Sequence, residues 1–172
     1  MTVVLRRLAV VAYPVLDAED HDWVASIRTS HDPQAALLPA HFTLVFPAEM
    51  SQSAALEGIS DAAGRLVPFT FVLRSVRAVR NPFGPGGHVF LVPDEGAEEI
   101  VMLHERLYRG AFQQCHRPEV PYVPHITVGA SGNWTECEAI ASRLGQHPRP
   151  VSGRVEAIEL LRLGDGKVES AH

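Results

Sequence analysis

Two stretches, Pro39-Ala40-His41-Phe42-Thr43-Leu44-Val45-Phe46 and Val123-Pro124-His125-Ile126-Thr127-Val128-Gly129, read alike, each placing His-x-Thr in a run of strand-forming residues close behind a proline. Successive side chains of a strand point to opposite faces. His41 and Thr43 therefore share one face, and Phe42 and Leu44 the other. The same parity joins His125 to Thr127 and Ile126 to Val128. The apolar pairs can anchor each strand in a core, and the polar pairs are then turned by the backbone toward a cleft.

The histidines lie 84 residues apart, and the same offset carries Ser51, a candidate helix cap, to Thr135, and carries the strand expected over Phe69–Val79 onto Gly153–Leu163. Periodicity supplies the other elements. Strands are expected over Val3–Tyr13, His41–Phe46, His88–Val92, His125–Val128 and Val151–Leu163, with Gly164-Asp165-Gly166 turning into a short last strand. Helices are expected over Ala18–Arg28, from the Ser51 cap through Leu66, from about Gly96 to Phe112 with Ile100, Leu103 and Leu107 on one stripe, and over Thr135–Leu144. The fold class is α/β (α+β). One bilobal domain is expected over residues 1–172, with lobe one at about 1–80 and lobe two at about 87–172. The lobes join near the turn-rich stretch 81–87, and each holds a small, mainly antiparallel sheet with helices outside, around a central cleft.

Two imidazoles on a rigid scaffold suit acid-base chemistry at phosphorus, because an ordinary pKa near 6.5 lets one be neutral while the other is protonated. In-line displacement puts the entering and leaving oxygens on opposite sides of phosphorus, and two motifs related by a pseudo-twofold axis can set one imidazole at each. The Thr43 and Thr127 hydroxyls can donate to the non-bridging oxygens, where charge is stabilised. One His-x-Thr alone has little specificity. Two copies of matched parity, in the same place of a repeat, carry the reading.

With its hydrophobic fourth residue, the duplicated motif His41-Phe42-Thr43-Leu44 and His125-Ile126-Thr127-Val128 resembles that of the 2H phosphoesterase superfamily, within it the 2′-5′ RNA ligase-like branch. Arg7-Leu8-Ala9-Val10-Val11 resembles that family's opening strand, and Gly87-His88-Val89-Phe90-Leu91-Val92 the strand that begins its second lobe. The resemblance implies two pseudo-symmetric lobes, metal-free chemistry on 2′,3′-cyclic phosphates or related cyclic nucleotides, and catalytic roles for His41, Thr43, His125 and Thr127. It also implies an order, with the first-motif histidine protonating the leaving oxygen and the second activating the nucleophile; the near symmetry of the halves leaves that order open. Relatives often carry an arginine soon after the second motif, where this chain has Gly129-Ala130-Ser131.

Three functions from different classes fit: a phosphoesterase that opens a cyclic phosphate with water, a 2′-5′ RNA ligase using an RNA 5′-hydroxyl at the same site, and a non-catalytic binder of nucleotides or RNA ends. Loss of a motif residue would favour the binder, and all four are present. No cofactor and no metal are expected, since none of the seven other histidines (His21, His31, His88, His104, His116, His147, His172) forms a ligand pattern, and they read as surface residues. Further substrate contacts could come from Arg74 and Arg77, which with Arg80 lie on or near a strand, and from Phe83 and Tyr122, which could stack on a base. Tyr122 shares parity with Ile126, the core side.

Composition bounds the partner. The 172 residues are 46% hydrophobic and 20% charged, and 15 Lys and Arg against 20 Asp and Glu give a net charge of −5. That sign opposes a surface gripping a long duplex through many phosphates, so the expected partner is a nucleotide or an RNA end carrying a cyclic phosphate. Cys115 and Cys137 cannot build a disulfide framework, which suits a reducing compartment. The apolar run Leu8–Leu16 behind Arg6 and Arg7 contains Tyr13 and Pro14, and is too short to span a bilayer. A cytoplasmic monomer with no membrane association is expected.

Overall fold

The computed structural model describes residues 5–164 and 166–171. Val3 and Val4 of the expected first strand, Asp165 of the expected hairpin turn, and His172 lie outside the described residues. The elements are β1 (Leu5–Ala12), β2 (Val15–Leu16), α1 (Ala18–His31), β3 (Phe42–Ser51), α2 (Gln52–Gly64), β4 (Phe69–Arg80), β5 (Gly87–Glu95), α3 (Ala97–Tyr108), a 3-10 turn at Gln113–Cys115, β6 (Ile126–Ser131), α4 (Trp134–Gln146), β7 (Val151–Val155), β8 (Glu159–Gly164) and β9 (Lys167–Ser170). The class is mixed α and β, as expected.

Local chemistry explains the helix starts. The Asp17 carboxylate accepts from the Asp20 amide at 2.8 Å, with Glu19 and Asp20 in the first turn of α1, so an orphan donor and the positive helix end are both answered. Asn133 does the same for α4 through the Thr135 amide at 3.0 Å. Gly96, ahead of α3, has φ +77, and a Cβ there would sit 2.5 Å from the Thr70 carbonyl oxygen, so only glycine fits.

The strands form one nine-stranded sheet in the order β2-β7-β4-β5-β6-β3-β1-β8-β9, with every neighbouring pair antiparallel. At its centre the two halves are joined by a single residue pair, Phe42↔Ile126 between β3 and β6. Both side chains are 0% exposed, within a core that also takes Leu44, Val128, Val89 and Leu91. Burying such side chains is worth about 1.5–3 kcal/mol each. The motif strands are thus fastened to each other at the middle of the molecule.

Two differences from the sequence reading bear on the site. Val151–Leu163 is not one strand: β7 pairs with β4, β8 pairs with β1 on the far half, and residues 156–158 cross between them. The cause is a slip in alternation, since Val155 and Ile158 are both buried with two exposed residues between them. The two halves of the chain also exchange strands. β4, from before residue 81, lies among β5, β6 and β7, while β8 and β9 lie beside β1, so a boundary near residues 81–87 does not by itself divide the strands between the halves of the sheet.

Candidate active site

The alternation expected for the motifs is observed. Phe42, Leu44, Ile126 and Val128 are buried, whereas His41, Thr43, His125 and Thr127 are half-buried. Because Phe42 stands opposite Ile126 in an antiparallel pair, one step along the register sets His41 opposite Thr127 and Thr43 opposite His125. Each histidine is therefore placed beside the threonine of the other motif, on one face. Neither threonine hydroxyl bonds to a protein group among the described residues.

The two imidazoles are held by the same device. His41 Nδ1–H donates to the Pro39 carbonyl at 2.8 Å, and His125 Nδ1–H to the Val123 carbonyl at 2.6 Å, in each case two residues back. A carbonyl can only accept, so Nδ1 carries the proton and Nε2 is left without a protein partner among the described residues. The carbonyl before Pro39 is braced in turn: Arg28 donates to the Leu38 carbonyl at 2.8 Å, and its guanidinium is paired with Asp32 in a buried ion pair at 2.8 Å.

Burial pushes the His125 imidazole down to about 4, against the opposing pull of its Val123 hydrogen bond, and nearby His41 and His88 push it further the same way. His41 is also lowered, chiefly by burial, with the Pro39 bond and Asp32 opposing and Arg28 adding to the fall.

Phe90 lies against His125, ring centroids 3.5 Å apart and planes 15° from parallel, and His88 stacks near Phe90 at 5.9 Å and 18°. Phe90 is opposite Thr127 on β6 and opposite Arg77 on β4, so Arg77, Phe90 and Thr127 form a row across the motif face. Tyr13 meets His41 edge-on at 6.3 Å. The sequence reading singled out neither Phe90 nor Tyr13. For Phe90, its shared parity with His88 on a strand was the available signal.

The remaining expectations divide. Arg77 sits on the motif face, exposed, in the row just described. Arg74 falls in a register shift of β4, where its guanidinium pairs with Glu95 at 2.6 Å and its amide donates to Asp94 at 2.9 Å, so it is engaged in joining β4 to β5. Arg80 lies over the Trp134 ring at 4.2 Å. Phe83 is 70% exposed on the 81–86 turn with Arg117 5.5 Å from its ring.

Tyr122 is not offered to a base. Its ring is stacked on His104 at 3.6 Å and 3°, and its hydroxyl donates to the Thr43 carbonyl at 3.0 Å. His104 is itself a correction to the reading of surface histidines, being 5% exposed with Nδ1–H donating to the Leu44 carbonyl at 2.8 Å. Its spacing of four from Ile100, on the apolar stripe of α3, was the legible sign. His88, half-buried beside Phe90, is a second correction.

Two cavities of about 300 and 340 Å³ lie elsewhere, the first between the end of α1 and the start of α4 (Asp32, Ser131, Glu136), the second around Phe69, Glu99 and Arg154. Neither is lined by a motif residue. Among the described residues no three His, Cys, Asp or Glu side chains gather to hold a metal ion, and no helix is long and apolar enough to cross a membrane.

The family model of the 2′-5′ RNA ligase superfamily matches residues 15–167. The chain belongs to this superfamily. Among curated relatives, a Bacillus licheniformis protein named "Putative phosphoesterase" is 30% identical over 125 residues, which is 71% of this chain and 69% of the relative. A protein of the same designation from Bacillus cereus is 31% identical over 142 residues, 80% of this chain and 77% of the relative. Among solved structures, Escherichia coli LigT complexed with 3′-AMP superposes with a TM-score of 0.58 at 22% identity, covering 98% of this chain and 95% of LigT. Usb1 of Kluyveromyces marxianus superposes with a TM-score of 0.57 at 10% identity, covering 96% and 97%. At these identities the structural likeness establishes the family's fold in this chain.

Proposed function

We propose that this member of the superfamily is a metal-independent phosphoesterase that opens 2′,3′-cyclic phosphates, on RNA ends or small nucleotides, by two-histidine acid-base catalysis. The observation that carries the reading is the matched tethering of His41 and His125, each with Nδ1–H tied to a carbonyl two residues back and Nε2 free. That LigT is crystallised with 3′-AMP and with ATP supports a nucleotide ligand.

The strong depression of His125 supports its role as base: it is neutral at pH 7 and can take a proton from attacking water. His41, in its imidazolium form with Nε2 protonated as well as Nδ1, would then supply the Nε2 proton to the leaving ribose oxygen. As the P–O bond to that oxygen breaks, the water oxygen bonds phosphorus, and Thr43 and Thr127 donate to the non-bridging oxygens whose charge grows. Arg77, on the same face, would add a cation for the phosphate. The product is a phosphomonoester with one free ribose hydroxyl. Incubation with a panel of 2′,3′-cyclic nucleotides and cyclic-ended oligonucleotides, with product analysis, tests this. Release of a 2′- or 3′-monophosphate is the expected result; joined oligonucleotides and no hydrolysis would make the chain a ligase, and binding without turnover a binder.

A further inference from the structure

β3 and β6 pair at only Phe42↔Ile126, yet each histidine must be held against the threonine of the other strand beyond that point. We propose that Tyr122 and His104 are positioning residues that set the separation of the two His-x-Thr motifs, carrying polar contact between them where the ladder ends. The inference rests on the two-histidine reading above.

The connection is continuous. The Tyr122 hydroxyl donates to the Thr43 carbonyl at 3.0 Å, in motif one. The next residue, Val123, offers the carbonyl that receives His125 Nδ1–H at 2.6 Å, in motif two. A shift of Tyr122 therefore moves the acceptor that orients His125. His104 presses flat on the Tyr122 ring at 3.6 Å, and its own Nδ1–H holds the Leu44 carbonyl at 2.8 Å, one residue past Thr43. One turn along α3, the Tyr108 hydroxyl accepts from the Phe46 amide at 3.1 Å. Side chains from α3 and from the segment before β6 thus bind the β3 backbone at Thr43, Leu44 and Phe46. In the first motif the corresponding segment is held by Arg28 at Leu38, three residues before His41 as Tyr122 is three before His125, but that brace stays within its own half. Only the Tyr122 brace reaches the other motif.

Three variants test this against a packing role. Tyr122→Phe keeps the ring and its stack and removes one O–H donor. His104→Leu removes the Leu44 bond, and His104→Gln keeps an N–H donor able to restore it. With 2′,3′-cyclic AMP as substrate, Tyr122→Phe is expected to lower kcat about tenfold at a KM within about twofold, since small misplacement of reacting groups acts on the chemical step. His104→Leu should do the same and His104→Gln should recover most of the loss. A kcat fall in Tyr122→Phe of less than about threefold overturns the proposal. If the wild type turns over no cyclic phosphate, the two-histidine reading fails by itself. The imidazole carbon-proton NMR signals then decide the positioning: displacement of both His125 and His41 in Tyr122→Phe supports it, and unmoved signals overturn it.

Discussion

Phe90 and His125 lie face to face, centroids 3.5 Å apart, with Phe90 8% exposed. The contact covers one side of the imidazole, and burial is the largest cause of the fall in the His125 pKa. Replacing Phe90 with Leu should cost about 1 kcal/mol of stability, as a modest large-to-small change in a core does. Its distinctive effect should be on titration: with water admitted beside the ring, the His125 pKa rises from about 4 toward the ordinary value. NMR titration of the variant checks this, and an unmoved pKa would assign the desolvation to other neighbours.

Removal of either motif histidine should stop the reaction without unfolding the chain. His41→Ala and His125→Ala are expected to lower turnover of a 2′,3′-cyclic nucleotide by roughly 10² or more, as loss of a positioned acid or base does. Thr43→Ala and Thr127→Ala should cost less, because each hydroxyl shares the phosphoryl charge with other donors. Circular dichroism beside the kinetics separates lost chemistry from lost fold, and near-normal turnover in a folded histidine variant removes that residue from the mechanism.

Acid should destabilise the protein through His125. Its folded pKa of about 4 is below the ordinary value of 6.5, so the folded state holds fewer protons between those limits. The stability tied to the neutral ring is fully present above pH 6.5 and is lost as pH falls toward 4, at no more than about 1.4 kcal/mol per pH unit for one proton. Thermal midpoints from pH 7 to pH 4 should therefore drop less steeply in His125→Gln than in the wild type. Parallel curves would show that the group gains no proton on unfolding.

The buried Arg28–Asp32 pair should be a point of fragility. It holds the Leu38 carbonyl at 2.8 Å and the Gln34 amide at 2.9 Å, and so shapes the segment that ends in His41. Arg28→Met leaves a carboxylate buried without its partner, a change that costs about 3–5 kcal/mol where such pairs are broken. Chemical denaturation measures the loss, and a variant of wild-type stability would show that water reaches Asp32.

Much of the site was legible because strand parity is local. The backbone alone decides that His41 and Thr43 share a face and that Phe42 and Leu44 share the other, so two copies of His-x-Thr could be read without knowing where either strand lies. The helices were legible for the same reason, from apolar stripes such as Ile100, Leu103 and Leu107. Sequence by itself determined the order of the longer elements through α4, though not the two-residue β2 or the 3-10 turn, together with the mixed class and the four motif residues as candidates.

Tertiary structure decided what depends on partners distant in the chain. The pairing Phe42↔Ile126, which joins the motifs, is a register between strands 84 residues apart, and no local periodicity encodes a register. The placement of β4 beside β7 and of β8 beside β1 likewise follows from which buried faces find each other, which is why Val151–Leu163 read as one strand and folded as two. Arginines show the same limit: Arg74 is committed to Glu95 and Arg77 is turned to the motif face, three residues apart on one strand, because a register shift in β4 and the acid beside it are tertiary facts. The depressed pKa of His125 belongs to this class too, since its largest cause is burial, and the ring is buried only when the chain has folded.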